Sequence, residues 1–264
     1  MAFIELNDIV KVFKDRKRGT DMLAIDHVSL RLEKKEFLCL LGPSGCGKST
    51  LLNMIAGFEF PTSGVVTVAG KPITGPGADR GMVFQQANLM PWLPVWDNVA
   101  FSLKLQGKSA AERRAAAQPF IETVKLKGFE NHYPSELSGG MAQRVGIARA
   151  LLQNPSVILM DEPFAHLDAV TRLDLQDLAV RLLAGRTAVL VTHDPLEALR
   201  VGHEVRILQG TPFLVGSPIV PPGTAPRDPA DSDLLALQAR LIGELRGTGL
   251  GRPELREPEL RGPS

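Results

Sequence analysis

The chain predicts an α/β fold: a parallel sheet with crossover helices, an antiparallel β opening before it and a helical insertion within it. Three observations carry this. Phe37–Leu41, Val157–Met160 and Thr187–Thr192 are short, continuous apolar runs, the pattern of strands buried on both faces, and each leads into a helical stretch. A glycine-rich loop separates the first run from its helix, Lys48 to Ala56. Between Gln86 and Glu136 the pattern turns helical instead. With 264 residues the chain makes one large α/β domain or two small ones, enough for a substantial core.

In chain order, residues 3 to 12 and 27 to 33 alternate as an antiparallel pair around a polar, basic turn from Asp15 to Asp21. The insertion reads as a helix over Val95 to Gln106 and a second over Ser109 to Leu126, where Ser109 and Glu112 have capping-box spacing. Beyond residue 217 prolines accumulate, one amphipathic helix is expected over about Asp231 to Leu245, and the Gly/Pro/Arg/Glu tail is expected to be disordered. The implied division is 1–217 as the main domain, with a helical subdomain at about 86–136, and 218–264 as an extension.

Thirty Lys plus Arg against 29 Asp plus Glu leave a formal charge of +1, which excludes a histone-like binder of nucleic acid. Two cysteines, Cys39 and Cys46, cannot make a disulfide framework, so a reducing compartment is expected. The start lacks a signal-peptide core and no run of about 18 uncharged apolar residues occurs. The expectation is a chain that reaches a membrane only by docking on something else.

Gly42 to Ser49 fits G-x-x-x-x-G-K-S/T and lies between a strand and a helix, as the motif requires. Glycines let successive backbone N–H groups turn inward around a β-phosphate, and the helix N-terminus adds positive charge. The expected cradle is Gly42, Pro43, Ser44, Gly45, Cys46, Gly47, Lys48, Ser49 and Thr50. Lys48 is expected to neutralise the β and γ oxygens, and Ser49 to supply a hydroxyl to Mg²⁺. Cys46 reads as an inert loop residue, with a redox switch as the alternative. Val157–Met160 ends in Asp161 and Glu162, at the sheet edge where open α/β folds bind ligands. Asp161 is expected to hold Mg²⁺ through water and Glu162 to polarise the water that attacks the γ-phosphate; an acidic pair opening a helix is the bland alternative.

Ser138, Gly139 and Gly140 open a further helix, with Ser138 standing 23 residues before Asp161. Together with the phosphate loop and Asp161–Glu162, this segment resembles the ATP-binding subunit of ABC transporters, and the likeness runs from about Phe3 to Ile207. The resemblance implies a P-loop NTPase core of the ABC ATPase type, with an N-terminal antiparallel β subdomain and a helical insertion. It further implies that Ser138, Gly139 and Gly140 cap the γ-phosphate of ATP held by a second copy, so that a homodimer encloses two ATP molecules. By the same resemblance, Gln85 reaches Mg²⁺ and the attacking water, His193 contacts the γ-phosphate, and Asp168 belongs to a loop crossing between copies. Phe13 matches the aromatic that stacks on adenine, and equally reads as strand-end core. His166 stands where the family carries a small residue; it alters the dimer seam or points to solvent.

The segments 75–86, 90–98 and 160–164 resemble importers of the nitrate, sulfonate and taurine group. That implies a peripheral ATPase at the cytoplasmic face of the membrane, working with a permease and, indirectly, a periplasmic or extracellular solute-binding protein. Met90, Pro91, Trp92 and Leu93 would receive a coupling helix of the permease, the alternative being a local mini-core. The competing function is a soluble ABC-type ATPase acting on nucleic acid or ribosomes. The single domain, the 51-residue insertion and the balanced charge argue against it, so no nucleic-acid partner is expected. A catalytically silent regulator is disfavoured because Lys48, Asp161, Glu162 and His193 are all present.

Overall fold

The computed structural model describes residues 2–15, 20–210 and 212–247. Strand β1 (Ile4–Asp15) buries Ile4, Leu6 and then Ile9, because a register shift after Leu6 restores the alternation one residue late. Asp8 takes a left-handed φ of 53° beside this shift. β2 (Thr20–Leu32) pairs antiparallel with β1, setting Leu30 opposite Leu6 and Val28 opposite Ile9. The sequence pattern marks only its second half, since Asp21, Asp26 and His27 interrupt the apolar alternation of its first.

β3 (Phe37–Leu41) is buried at every residue and is followed by α1 (Lys48–Ala56), which Gly57 ends at φ 83°. β4 (Ser63–Val68) and β5 (Lys71–Pro72) complete an antiparallel sheet of order β2-β1-β4-β5. β6 (Arg80–Val83) enters the parallel sheet.

In the insertion, the helix expected over Val95 to Gln106 is two helices, α2 (Val95–Val99) and α3 (Phe101–Leu105), broken at Ala100. The physical difference is burial: Val95, Trp96, Val99 and Ala100 are buried, whereas no residue of α3 is. α4 (Ala110–Thr123) has the expected capping box, with Ser109 N–H donating to Glu112 at 2.8 Å and Glu112 N–H donating to Ser109 Oγ at 3.3 Å. It ends before Leu126 because Lys125 adopts a left-handed φ of 59°. A 3-10 turn at Pro134–Glu136 precedes α5 (Gly139–Leu152).

β7 (Val157–Asp161), α6 (Ala169–Leu183), β8 (Thr187–Thr192), α7 (Pro195–Val201) and β9 (Glu204–Gln209) follow, then the short β10 (Leu214–Val215) and α8 (Ser232–Gly247). The order β10-β9-β3-β8-β7-β6 is parallel except for the β10–β9 pair. One face of this sheet, including Phe37, Cys39 and Leu41, packs on α2 and α4 to α8. The other, including Leu38 and Leu40, packs on α1 and the antiparallel sheet. This two-sided burial is why the central strands read as unbroken apolar runs.

The segment after residue 217 folds back on the core. Leu234 and Leu241 of α8 are buried, and Arg227 donates to the carbonyls of Leu199, Gly202, Pro221, Pro222 and Gly223. The tail expected to be disordered lies, beyond Gly247, outside the described residues.

Candidate functional site

β3, β7 and β8 run parallel, so the residues that follow them meet at one edge of the sheet. Gly42 leaves β3 with its N–H on the carbonyl of Thr192 at 3.2 Å, and Glu162 leaves β7 with its N–H on Val191 at 2.9 Å. The phosphate loop is thereby fixed to the other two motifs. Gly45 and Gly47 adopt φ of 81° and 105°, values that disfavour any side chain. A Cβ at Gly47 would lie 2.7 Å from the ring of Phe213, which is fully buried and forms the floor of the loop.

Lys48 is buried, and its ammonium donates to the carbonyls of Gly42 and Pro43, each at 2.8 Å. Glu162 Oε1 lies 3.8 Å from it. Ser49 Oγ donates to Asp161 Oδ1 at 3.0 Å. Desolvation raises the pKa of Asp161, with the nearby Glu162 charge acting in the same direction and the Ser49 bond and Lys48 opposing. His193 Nδ1 lies 2.9 Å from Glu162 Oε2. An ionised carboxylate only accepts, so Nδ1–H is the donor, and Glu162 is held between His193 and Lys48. Glu162 itself has a left-handed φ of 44°.

Gln85, just beyond β6, places Nε2 3.2 Å from His166 Nε2. Its loop is fastened by α5, where Gln143 donates to the carbonyl of Phe84 at 2.8 Å and Arg149 to those of Ala87 and Asn88. A cavity of about 170 Å³ is lined by Gln85, Glu162, His166, Arg172, His193 and Glu197 among others. A wider one, about 880 Å³, opens on the far side, where β6, β7 and β8 begin, among Lys35, Lys71 and Arg80. It contains none of the groups above.

The structure therefore brings Lys48, Ser49, Gln85, Asp161, Glu162 and His193 to one edge. Ser138 is elsewhere in the hydrogen-bond pattern: it caps α5, accepting from Met141 N–H at 3.3 Å, and Gly140 lets α5 approach α6, where a Cβ would sit 2.4 Å from Thr171. Among the described residues, no hydrogen bond or ion pair joins Ser138, Gly139, Gly140 or Phe13 to the phosphate loop. Phe13 is half-buried on β1 under the ammonium of Lys11, 4.9 Å from the ring centroid. Asp168 caps α6 through Thr171 N–H at 3.0 Å. At the suggested docking patch Trp92 is 69% exposed, whereas Leu93 is buried. Sequence reasoning missed Phe213, Gln143 and Arg149, which touch the loops of this edge from positions distant in the chain, and Glu197, which bonds Thr192 five positions before it. Only the spacing of Glu197 after His193, within the turn that opens α7, could have pointed to it.

Residues 25–165 match the family model described as ABC transporter. The chain belongs to the ABC transporter family. A taurine import ATP-binding protein of Burkholderia thailandensis is 50% identical to this ABC ATPase over 205 residues, spanning 77% of this chain and 78% of that protein. A nitrate import ATP-binding protein of Synechocystis is 45% identical over 211 residues, 79% of each. Among solved structures, the dimeric post-hydrolysis state of an ATP-binding cassette bound to ADP and Pi aligns with a TM-score of 0.73 at 35% identity, covering 84% of this chain and 100% of that one. The ABC ATPase is thus an ATP-binding and ATP-hydrolysing subunit of an import system, with the fold the sequence predicts.

Proposed function

We propose that this subunit binds Mg²⁺-ATP in a homodimer and uses its hydrolysis to drive a permease that imports a small solute such as nitrate, a sulfonate or taurine. The observation that carries the catalytic part is the arrangement of Glu162, held at one oxygen by His193 and facing Lys48 with the other. Gly42, Pro43, Ser44, Gly45, Cys46, Gly47, Lys48, Ser49 and Thr50 cradle the phosphates, whose β and γ oxygens compete with the Gly42 and Pro43 carbonyls for the Lys48 ammonium. Glu162 takes a proton as water forms a bond to the γ-phosphorus and the bond to the bridging oxygen breaks, releasing ADP and phosphate. His193 fixes the carboxylate, and Gln85 borders the same cavity from the end of β6.

The donors suit Mg²⁺, a hard cation that takes few protein ligands: a hydroxyl on Ser49, a carboxylate on Asp161 whose burial disfavours its charge until a cation approaches, and the amide oxygen of Gln85. Held there, the ion would supply positive charge to the phosphates.

Ser138, Gly139 and Gly140 supply the second half-site, across the dimer. Support comes from their place at the start of a 14-residue helix and from the dimeric cassette that this fold matches. Phe13 offers the adenine platform. Trp92 with Met90 and Pro91 receives the permease at the cytoplasmic face of the membrane; no helix of the described residues is long and apolar enough to cross one. A solute-binding protein acts through that permease. We take 1–217 as the ATPase unit, with the helical subdomain at about 86–136, and 218–264 as an extension anchored by Arg227 and α8. Replacing Glu162 with Gln tests the reading: ATP binding should persist while turnover is nearly abolished and an ATP-loaded dimer accumulates. Turnover at the parent rate would remove Glu162 as the base.

A further inference from the structure

The turn that presents His193 is fastened on both sides through one buried carboxyl. Thr192 Oγ donates to Glu197 Oε2 at 3.0 Å and accepts from the N–H of Asp194 at 3.0 Å, so the residues before and after His193 are tied to Glu197. Asp194 in turn caps α7, accepting from the N–H groups of Leu196 at 2.9 Å and Glu197 at 3.3 Å. Glu197 is 6% exposed, it lines the 170 Å³ cavity with Glu162 and His193, and its Oε1 is buried with no protein hydrogen-bond partner.

We propose that Glu197 is a positioning residue for ATP hydrolysis, holding His193 against Glu162 through the Thr192 hydroxyl. The proposal rests on the roles given above to His193 and Glu162. Ionised groups face Glu197 from several elements: Asp194 on its own turn, Glu162 after β7 and Arg172 on α6, with His193 and the Cys39 thiol of β3 nearby. Burial pushes the Glu197 carboxyl up to about 8, Asp194 and Glu162 act in the same direction, and the Thr192 bond and Arg172 oppose them. The protonated form keeps Oε2 as an acceptor for Thr192 and adds no charge beside Asp194 and Glu162. As pH rises through this value, a buried carboxylate forms beside those of Asp194 and Glu162, and the repulsion loosens the turn.

The full chain is tested as Glu197→Gln, Glu197→Leu and Thr192→Val, with ATP affinity measured separately from kcat between about pH 6 and about pH 10. Gln keeps the acceptor and the neutral state, so it should rescue kcat and remove the alkaline decline of the parent. Leu and Thr192→Val should lower kcat on the order of 10- to 100-fold while ATP affinity, set by the phosphate loop, stays near that of the parent. Equal losses in Gln and Leu, an alkaline decline unchanged in Gln, or a Thr192→Val protein with parental kcat would each overturn the proposal. Thr192→Val and Gln keep the test decisive if Leu fails to fold. Failure of the underlying reading is seen separately, as an active Glu162→Gln protein.

Discussion

Gly47 is the point where backbone conformation, core packing and the proposed phosphate cradle meet, and Gly47→Ala tests all three. The residue caps α1 at φ 105°, ψ 7°, where a Cβ costs about 1–2 kcal/mol in backbone sterics. Its Cβ would also meet Phe213 Cε1 at 2.7 Å and Cδ1 at 2.9 Å. Phe213 is fully buried and cannot swing to solvent, so relief requires a backbone shift of the kind that costs about 1–3 kcal/mol. Together these come to roughly 2–5 kcal/mol, expressed as lost stability or as a loop that no longer points its N–H groups at the phosphates. If the loop moves, a penalty of about 2.7 kcal/mol is a hundredfold loss in ATP affinity. Fluorescence titration with ATP and a urea unfolding curve separate the two outcomes. Combining the change with Phe213→Leu closes a double-mutant cycle, whose coupling should be about 1 kcal/mol or more because the pair touches. A Gly47→Ala protein matching the parent in both affinity and unfolding midpoint would refute the account of the loop floor.

Arg227→Leu leaves five backbone carbonyls without their shared donor, so the chain should lose about 2–4 kcal/mol in denaturant, and protease should release the α8 segment early; a parental midpoint would contradict this anchor. Glu112 is held down to about 2 by the Ser109 N–H and hydroxyl and by Lys108, so its stabilisation is complete above the ordinary carboxyl value of 4.5 and is lost as pH falls towards 2. Glu112→Ala should therefore flatten the melting temperature over that acid window, and an unchanged slope would dismiss the capping box as its source. Trp92→Ala should leave the ATPase activity of the isolated subunit near that of the parent and weaken its assembly with the permease; normal coupled transport would move the docking surface elsewhere.

How far the sequence could be read follows from how local each feature is. Phe37–Leu41, Lys48 to Ala56 and Thr187–Thr192 appear where expected, because burial on both faces, the strand-loop-helix context and helical periodicity act within a few residues. The break at Ala100 was not legible, since burial against other elements decided it, and neither was the early half of β2, whose mostly exposed or half-buried residues are held by pairing with β1. At the site, residue types announce the phosphate loop and the Asp161–Glu162 pair on their own, as backbone sterics and charge need only contiguous chain. Their partners do not announce themselves. Glu162 meets His193 across 31 positions, Gln143 grips the Gln85 loop across 59 from the carbonyl of Phe84, and Phe213 closes the floor of a loop that lies far back in the chain. By itself, then, the sequence points to a phosphate cradle, to acidic groups suited to a cation and a water, and to an α/β frame to carry them. Only the tertiary structure decided which oxygen faces which donor, and that Phe213 lies under Gly47, because strand order and helix packing bring together residues whose separation along the chain carries no signal of their contact.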